Sequence, residues 1–146
     1  PDHMEHIIGA IGDCGLPTIF PVHPRTKKYL ISFGLWDRMP GNIIPCDPLG
    51  YLDMLAAMGS AGKILTDSGG VQKEAYLLSV PCITLRDNTE WVETVSVGWN
   101  VLVGANREKI RALMGTFVPS GEHPDLFGRG ASGRISELVG EYMNGV

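Results

Sequence analysis

The sequence predicts an α/β domain, a Rossmann-like parallel sheet with helices on both faces. Short apolar segments at 18–22, 43–45, 63–66, 82–85 and 101–103 alternate with stretches of helical periodicity, the signature of successive β/α units. Those segments are partly β-branched and lack polar alternation, as suits strands buried on both faces. The third observation is the stretch Lys63-Ile-Leu-Thr-Asp-Ser-Gly-Gly-Val-Gln-Lys-Glu-Ala75, which reads as strand, glycine turn and helix. That geometry turns free backbone N–H groups toward an anion.

Each element has a local reason. Met4, Ile7, Ile8 and Ile11 recur at helical spacing, so a helix over 3–12 is expected, ended by Gly12 and Gly15. Thr18 to Val22 is the first strand, and Pro21 limits its pairing. Pro24 suits a first helical position, with Leu30 and Phe33 facing inward. Ile43 and Ile44 form the next strand. Asp47-Pro48 has the chemistry of an N-cap and first residue, which predicts a helix to about Met58 with Leu52, Leu55, Ala56 and Gly59 inward. The glycine-turn helix spans 70–79, Pro81 opens the strand 82–85, and a short helix is expected over 90–97. After the strand 101–103, Asn106 caps a helix whose stripe is Ile110, Leu113, Met114 and Phe117. A loop with Gly121, Pro124, Gly128 and Gly130 leads to a last helix, capped at Ser132, with Ile135, Leu138, Val139 and Tyr142 inward.

Composition sets limits. The 146 residues, 44% apolar and 19% charged, suit one globular domain over 1–146 with a real core. A net charge of −4 argues against a nucleic-acid partner, which needs a basic stripe. Cys14, Cys46 and Cys82 show no CxxC spacing, which favours buried thiols in a reducing cytoplasm over metal ligands. There is no apolar run long enough for a membrane span. The chain opens on Pro1, and the expectation is a segment of something longer.

In such folds ligands bind beyond the carboxyl ends of the strands. That rule selects His23, Asp47, Ser68-Gly69-Gly70 and the stretch from Arg86 to Glu90, each of which follows a strand. Ser68 suits an N-cap, and its hydroxyl serves a phosphate equally well. Glu74 follows Gly70 by four residues and leans back over it, suited either to ribose hydroxyls or to a solvated helix face.

Phe20-Pro-Val-His-Pro-Arg25, Leu65-Thr-Asp-Ser-Gly-Gly-Val-Gln-Lys-Glu-Ala75 and Pro81-Cys-Ile-Thr-Leu-Arg-Asp-Asn-Thr-Glu90 resemble the non-hydrolysing UDP-N-acetylglucosamine 2-epimerases. Gly98-Trp-Asn-Val-Leu-Val-Gly104 and Gly128-Arg-Gly-Ala-Ser132 extend the resemblance through almost the whole chain. It covers the C-terminal, nucleotide-binding half of a two-domain enzyme of the glycosyltransferase-B type. The family's first strand of that half is not in the chain, which implies a gap in the sheet.

The resemblance implies interconversion of UDP-GlcNAc and UDP-ManNAc by elimination and re-addition of UDP. It implies that Ser68, Gly69 and Gly70 hold the diphosphate, Glu74 the ribose, and that Glu90 belongs to the substrate site. His23 matches the family's cleft histidine, an acid/base or leaving-group partner; on local grounds alone it caps the helix starting at Pro24. Uracil in the family rests near the position of Met54, with Tyr51 a turn earlier, though both also read as core residues. Position 91 departs from the family: many bacterial members carry an arginine that helps hold UDP, and this chain has Trp91. The resemblance implies no metal or redox cofactor, a homodimer when complete, and catalytic carboxylates in the half this chain lacks. Two other readings share the glycine turn: half of a glycosyltransferase, and a non-catalytic nucleotide-binding module.

Overall fold

The computed structural model describes residues 2–128 and 130–143. The chain runs α1 (Asp2–Cys14), β1 (Thr18–Pro21), α2 (Pro24–Ser32), β2 (Ile43–Cys46), α3 (Tyr51–Gly59) and β3 (Ile64–Thr66). It continues α4 (Gly69–Leu77), β4 (Cys82–Thr84), α5 (Val92–Ser96), β5 (Asn100–Leu102), α6 (Arg107–Thr116) and α7 (Ala131–Met143). Every strand pair is parallel: β1 with β2, and β3 with β4 and β4 with β5. Among the described residues the strands form two sheets, β1-β2 and β3-β4-β5, with no ladder between them. The sheet is thus interrupted, as the resemblance led one to expect.

One core bridges the interruption. Ile8 and Ile11 of α1, Leu30 of α2, Ile43 of β2, Ile83 of β4, and Ile110 and Met114 of α6 are buried together. Met4, Ile7, Leu113 and Phe117 pack against them, so both amphipathic stripes lie where their spacing put them. A second cluster joins Met58, Ala75 and Cys82, with Met54, Ile64 and Val71 packed on it. Asn106 caps α6 as expected, its side-chain oxygen accepting the Lys109 N–H at 2.9 Å.

Several expectations need correction. α3 begins at Tyr51, not at Pro48, with Gly50 as the cap residue. Its inward residues are Met54 and Met58, one turn apart, whereas Leu52 is 78% exposed. α5 is shorter than 90–97, because Trp91 stands at its N-cap position. On α7 the stripe of Ile135, Leu138, Val139 and Tyr142 exists but is exposed, with no buried residue on that helix. Among the described residues no helix is long and apolar enough to cross a membrane.

Beyond α4 the chain adopts a left-handed residue, Ser79, at φ 57°. Its N–H bonds the Tyr76 carbonyl at 2.8 Å, a helix-ending arrangement that favours glycine. Replacing Ser79 with Gly relieves the Cβ conflict and is expected to stabilise the fold by about 1 kcal/mol. A urea midpoint that falls or stays put would count against this.

Candidate functional site: the glycine turn at the start of α4

β3 ends at Thr66, whose hydroxyl accepts the Ser68 N–H at 3.0 Å and turns the chain toward α4. Ser68 has extended backbone at the N-cap position, yet its side chain makes no capping bond. The hydroxyl therefore remains available to a ligand. The first helical bond runs from Gln72 N–H to the Ser68 carbonyl. The N–H groups of Gly69, Gly70 and Val71 stand ahead of that ladder at the positive end of the helix. No acidic residue lies in the first turn of α4.

The two glycines serve different purposes. A Cβ on Gly69 would fall on the Glu90 carboxylate, so this glycine admits a side chain from the loop after β4. A Cβ on Gly70 would meet only the Ser68 hydroxyl, at 3.8 Å, so the space above it is open. Arg86 donates to both Glu90 oxygens, at 3.0 and 3.3 Å, and to the Asn88 side chain at 3.1 Å. Its own backbone N–H and then Arg86 hold the Glu90 carboxyl below the usual carboxylate range, so it is charged at neutral pH.

Of the sequence-predicted residues, the structure brings Ser68, Gly69, Gly70 and Glu90 together. Glu74 lies on α4, four residues after Gly70, half-buried. Met54 packs in the cluster that also holds Val71 of the first α4 turn. Tyr51 is 65% exposed. His23 caps α2, its Nδ1 accepting the Arg25 N–H at 3.2 Å. An accepting Nδ1 places the proton on Nε2 in the neutral ring. His23 is exposed and follows β1 as Ser68 follows β3, so the cap leaves its Nε2 free of a hydrogen bond within α2, and the capping and ligand-facing roles are compatible.

Other residues behind the turn escaped the sequence reading. Gln72, Thr84, Thr94 and Asn100 are buried in one polar network. Thr84 donates to Asn100 at 2.7 Å, and Asn100 donates to Gln72 at 3.2 Å and Thr94 at 3.1 Å. Thr89 closes it with a 2.6 Å bond to Gln72. The Cys82 thiol lies 3.8 Å from Thr84, and burial pushes its pKa up to about 11. His123 also gained partners: it stacks on Tyr76 with ring centres 4.2 Å apart and its Nε2 lies 2.8 Å from the Tyr76 carbonyl.

A cleft of about 490 Å³ lies elsewhere, among Asp2, His3, His6, Asp87, Asn106 and Lys109. The glycine turn is an open surface and needs no cavity of its own to present N–H groups.

Parallel strands, helices between them and a helix N-terminus opened by two glycines define a Rossmann-like domain whose glycine turn presents unbonded N–H groups beyond the end of β3. The family model of UDP-N-acetylglucosamine 2-epimerase matches residues 1–139. A UDP-N-acetylglucosamine 2-epimerase homolog of Methanococcus maripaludis is 52% identical over 142 residues, covering 94% of this chain and 40% of that protein. UDP-2,3-diacetamido-2,3-dideoxy-D-glucuronate 2-epimerase of Pseudomonas aeruginosa is 41% identical, covering 95% and 40%. The crystal structure of the Methanocaldococcus jannaschii UDP-GlcNAc 2-epimerase in complex with UDP-GlcNAc and UDP superposes with a TM-score of 0.85 at 42% identity, covering 95% and 41%. The chain belongs to the UDP-N-acetylglucosamine 2-epimerase family and corresponds to its C-terminal half. It spans about two fifths of the length of these relatives.

Proposed function

We propose that this chain is the UDP-binding part of a 2-epimerase that interconverts UDP-GlcNAc and UDP-ManNAc. The observation that carries this is the turn Ser68-Gly69-Gly70, with an unspent hydroxyl and N–H groups ahead of the α4 ladder, in a chain of this family. Ser68 Oγ and the Gly69 and Gly70 N–H groups hold the diphosphate, and Glu74 takes the ribose hydroxyls. Met54 lies against the uracil. His23 offers its Nε2–H to the departing diphosphate, which stabilises the charge that develops as the sugar–oxygen bond breaks. Glu90 borders the same turn and, with Arg86, fixes the side on which the sugar extends. Proton removal and return at C2 fall to groups supplied by the remainder of the enzyme.

That remainder covers the exposed apolar face of α7, where Ile135, Leu138, Val139 and Tyr142 are each more than half exposed. The complete enzyme works as a homodimer in the cytoplasm, supplying an activated amino sugar for polysaccharide synthesis. The test is solvent deuterium in the product. Combined with an N-terminal half from the Methanococcus maripaludis relative, the chain should convert UDP-GlcNAc to UDP-ManNAc with deuterium at C2. Sugar transfer to an acceptor without C2 exchange would favour a glycosyltransferase. UDP binding with neither activity would reduce the chain to a binding module. The Pseudomonas relative makes UDP-2,3-diacetamido-2,3-dideoxy-D-glucuronate the second sugar to try.

A further inference from the structure

We infer that Trp91 is a positioning residue that aims the Gly70 N–H at the diphosphate; the inference rests on the UDP-binding reading of the glycine turn. The Trp91 indole N–H donates to the Gly69 carbonyl at 2.7 Å, across 22 residues of sequence. In a planar trans peptide the carbonyl and the following N–H point in opposite directions. Pinning the Gly69 oxygen therefore fixes the Gly70 N–H pointing the other way, out of the start of α4. Helical geometry commits one lone pair of that oxygen to the Lys73 N–H, and the indole takes the second.

The indole is itself held. The main-chain N–H of Trp91 donates to Thr89 Oγ1 at 3.0 Å, and Thr89 donates to the fully buried Gln72 of α4. The Lys73 ammonium lies over its ring at 4.8 Å and over the Phe127 ring at 4.6 Å. Phe127 meets the indole edge-on at 5.4 Å. The loop after β4 is thus fastened to α4 at two points, Thr89–Gln72 and Trp91–Gly69, with Glu90 between them over Gly69. This bond needs an N–H donor on a flat ring, which phenylalanine lacks.

The test compares the chain with Trp91→Phe, using UDP and uridine as probes, each titrated by NMR. Phe keeps a ring against Lys73 and Phe127 but loses the donor. The expected result is a roughly tenfold weaker UDP affinity with uridine unchanged, because only the phosphate-facing N–H has been released. In the unsubstituted chain the Trp91 indole N–H resonance, distinguished from those of Trp36 and Trp99 by their own Phe variants, should shift with UDP and not with uridine. That reading stands even if Trp91→Phe fails to fold. An equal loss for both probes, an unchanged UDP affinity, or an indole resonance indifferent to UDP would overturn the inference. If UDP binding depends on Ser68 yet ignores Trp91, this inference alone fails. If the folded chain binds no UDP, the nucleotide reading fails with it.

Discussion

Gly70→Ala is expected to leave the chain folded, slightly more stable, and more than about tenfold weaker for UDP. The added Cβ meets only Ser68 Oγ at 3.8 Å, and Gly70 has no left-handed backbone to preserve. Alanine in a helical position is favoured over glycine by about 0.5–1 kcal/mol. The same methyl stands where phosphate oxygens must approach the helix N-terminus, so binding and stability should move in opposite directions. Thermal melts with and without UDP read both at once. A variant that binds UDP normally would mean that the open space over Gly70 is not the ligand's.

Asn100→Leu should be among the most destabilising single changes, costing about 3 kcal/mol. Asn100 is 3% exposed and accepts from Thr84 while donating to Gln72 and Thr94. Leucine leaves the buried Thr84 hydroxyl without its acceptor and deprives Gln72 and Thr94 of a donor. Gln72 still accepts from Thr89 and Thr94 still donates to the Trp91 carbonyl, so the group left stranded is the Thr84 hydroxyl, and a buried polar group without a partner costs about 1–3 kcal/mol. Because Gln72 also anchors Thr89, the loop bearing Glu90 and Trp91 should loosen, and faster amide exchange at 89–91 would report it. A loss below about 1 kcal/mol in urea unfolding would show that the network is replaceable by apolar packing.

The parts of this fold legible in the sequence were those set by local spacing. The α1 and α6 stripes follow from period 3.6, and the Asn106 cap from a side chain reaching its own helix. The glycine turn was legible for the same reason, since Thr66, Ser68 and α4 are contiguous. Asp47-Pro48 misled because cap chemistry permits a helix start without requiring one; the chain stays non-helical to Gly50 before α3 begins. The α7 stripe shows how periodicity reveals that a helix has an apolar face but not what covers it. The return of Glu90 to Gly69 and the Trp91–Gly69 bond are contacts between distant segments, which no local pattern encodes. Gln72 and Asn100 carry no local signal, because polar residues are mostly exposed and these two are held inside by bonds between distant segments, which satisfy the Gln72 Oε1 and leave its buried Nε2 without a partner among the described residues.

The most direct test of the nucleotide-binding assignment is a calorimetric titration of UDP into this chain, beside Ser68→Ala and Glu74→Ala, with ADP as the control. UDP should bind and ADP should not, and each substitution should weaken UDP by about 1–3 kcal/mol through loss of hydrogen bonds to charged or hydroxyl groups. A folded chain that ignores UDP, or binds it equally well without the Ser68 hydroxyl and the Glu74 carboxylate, would contradict the assignment.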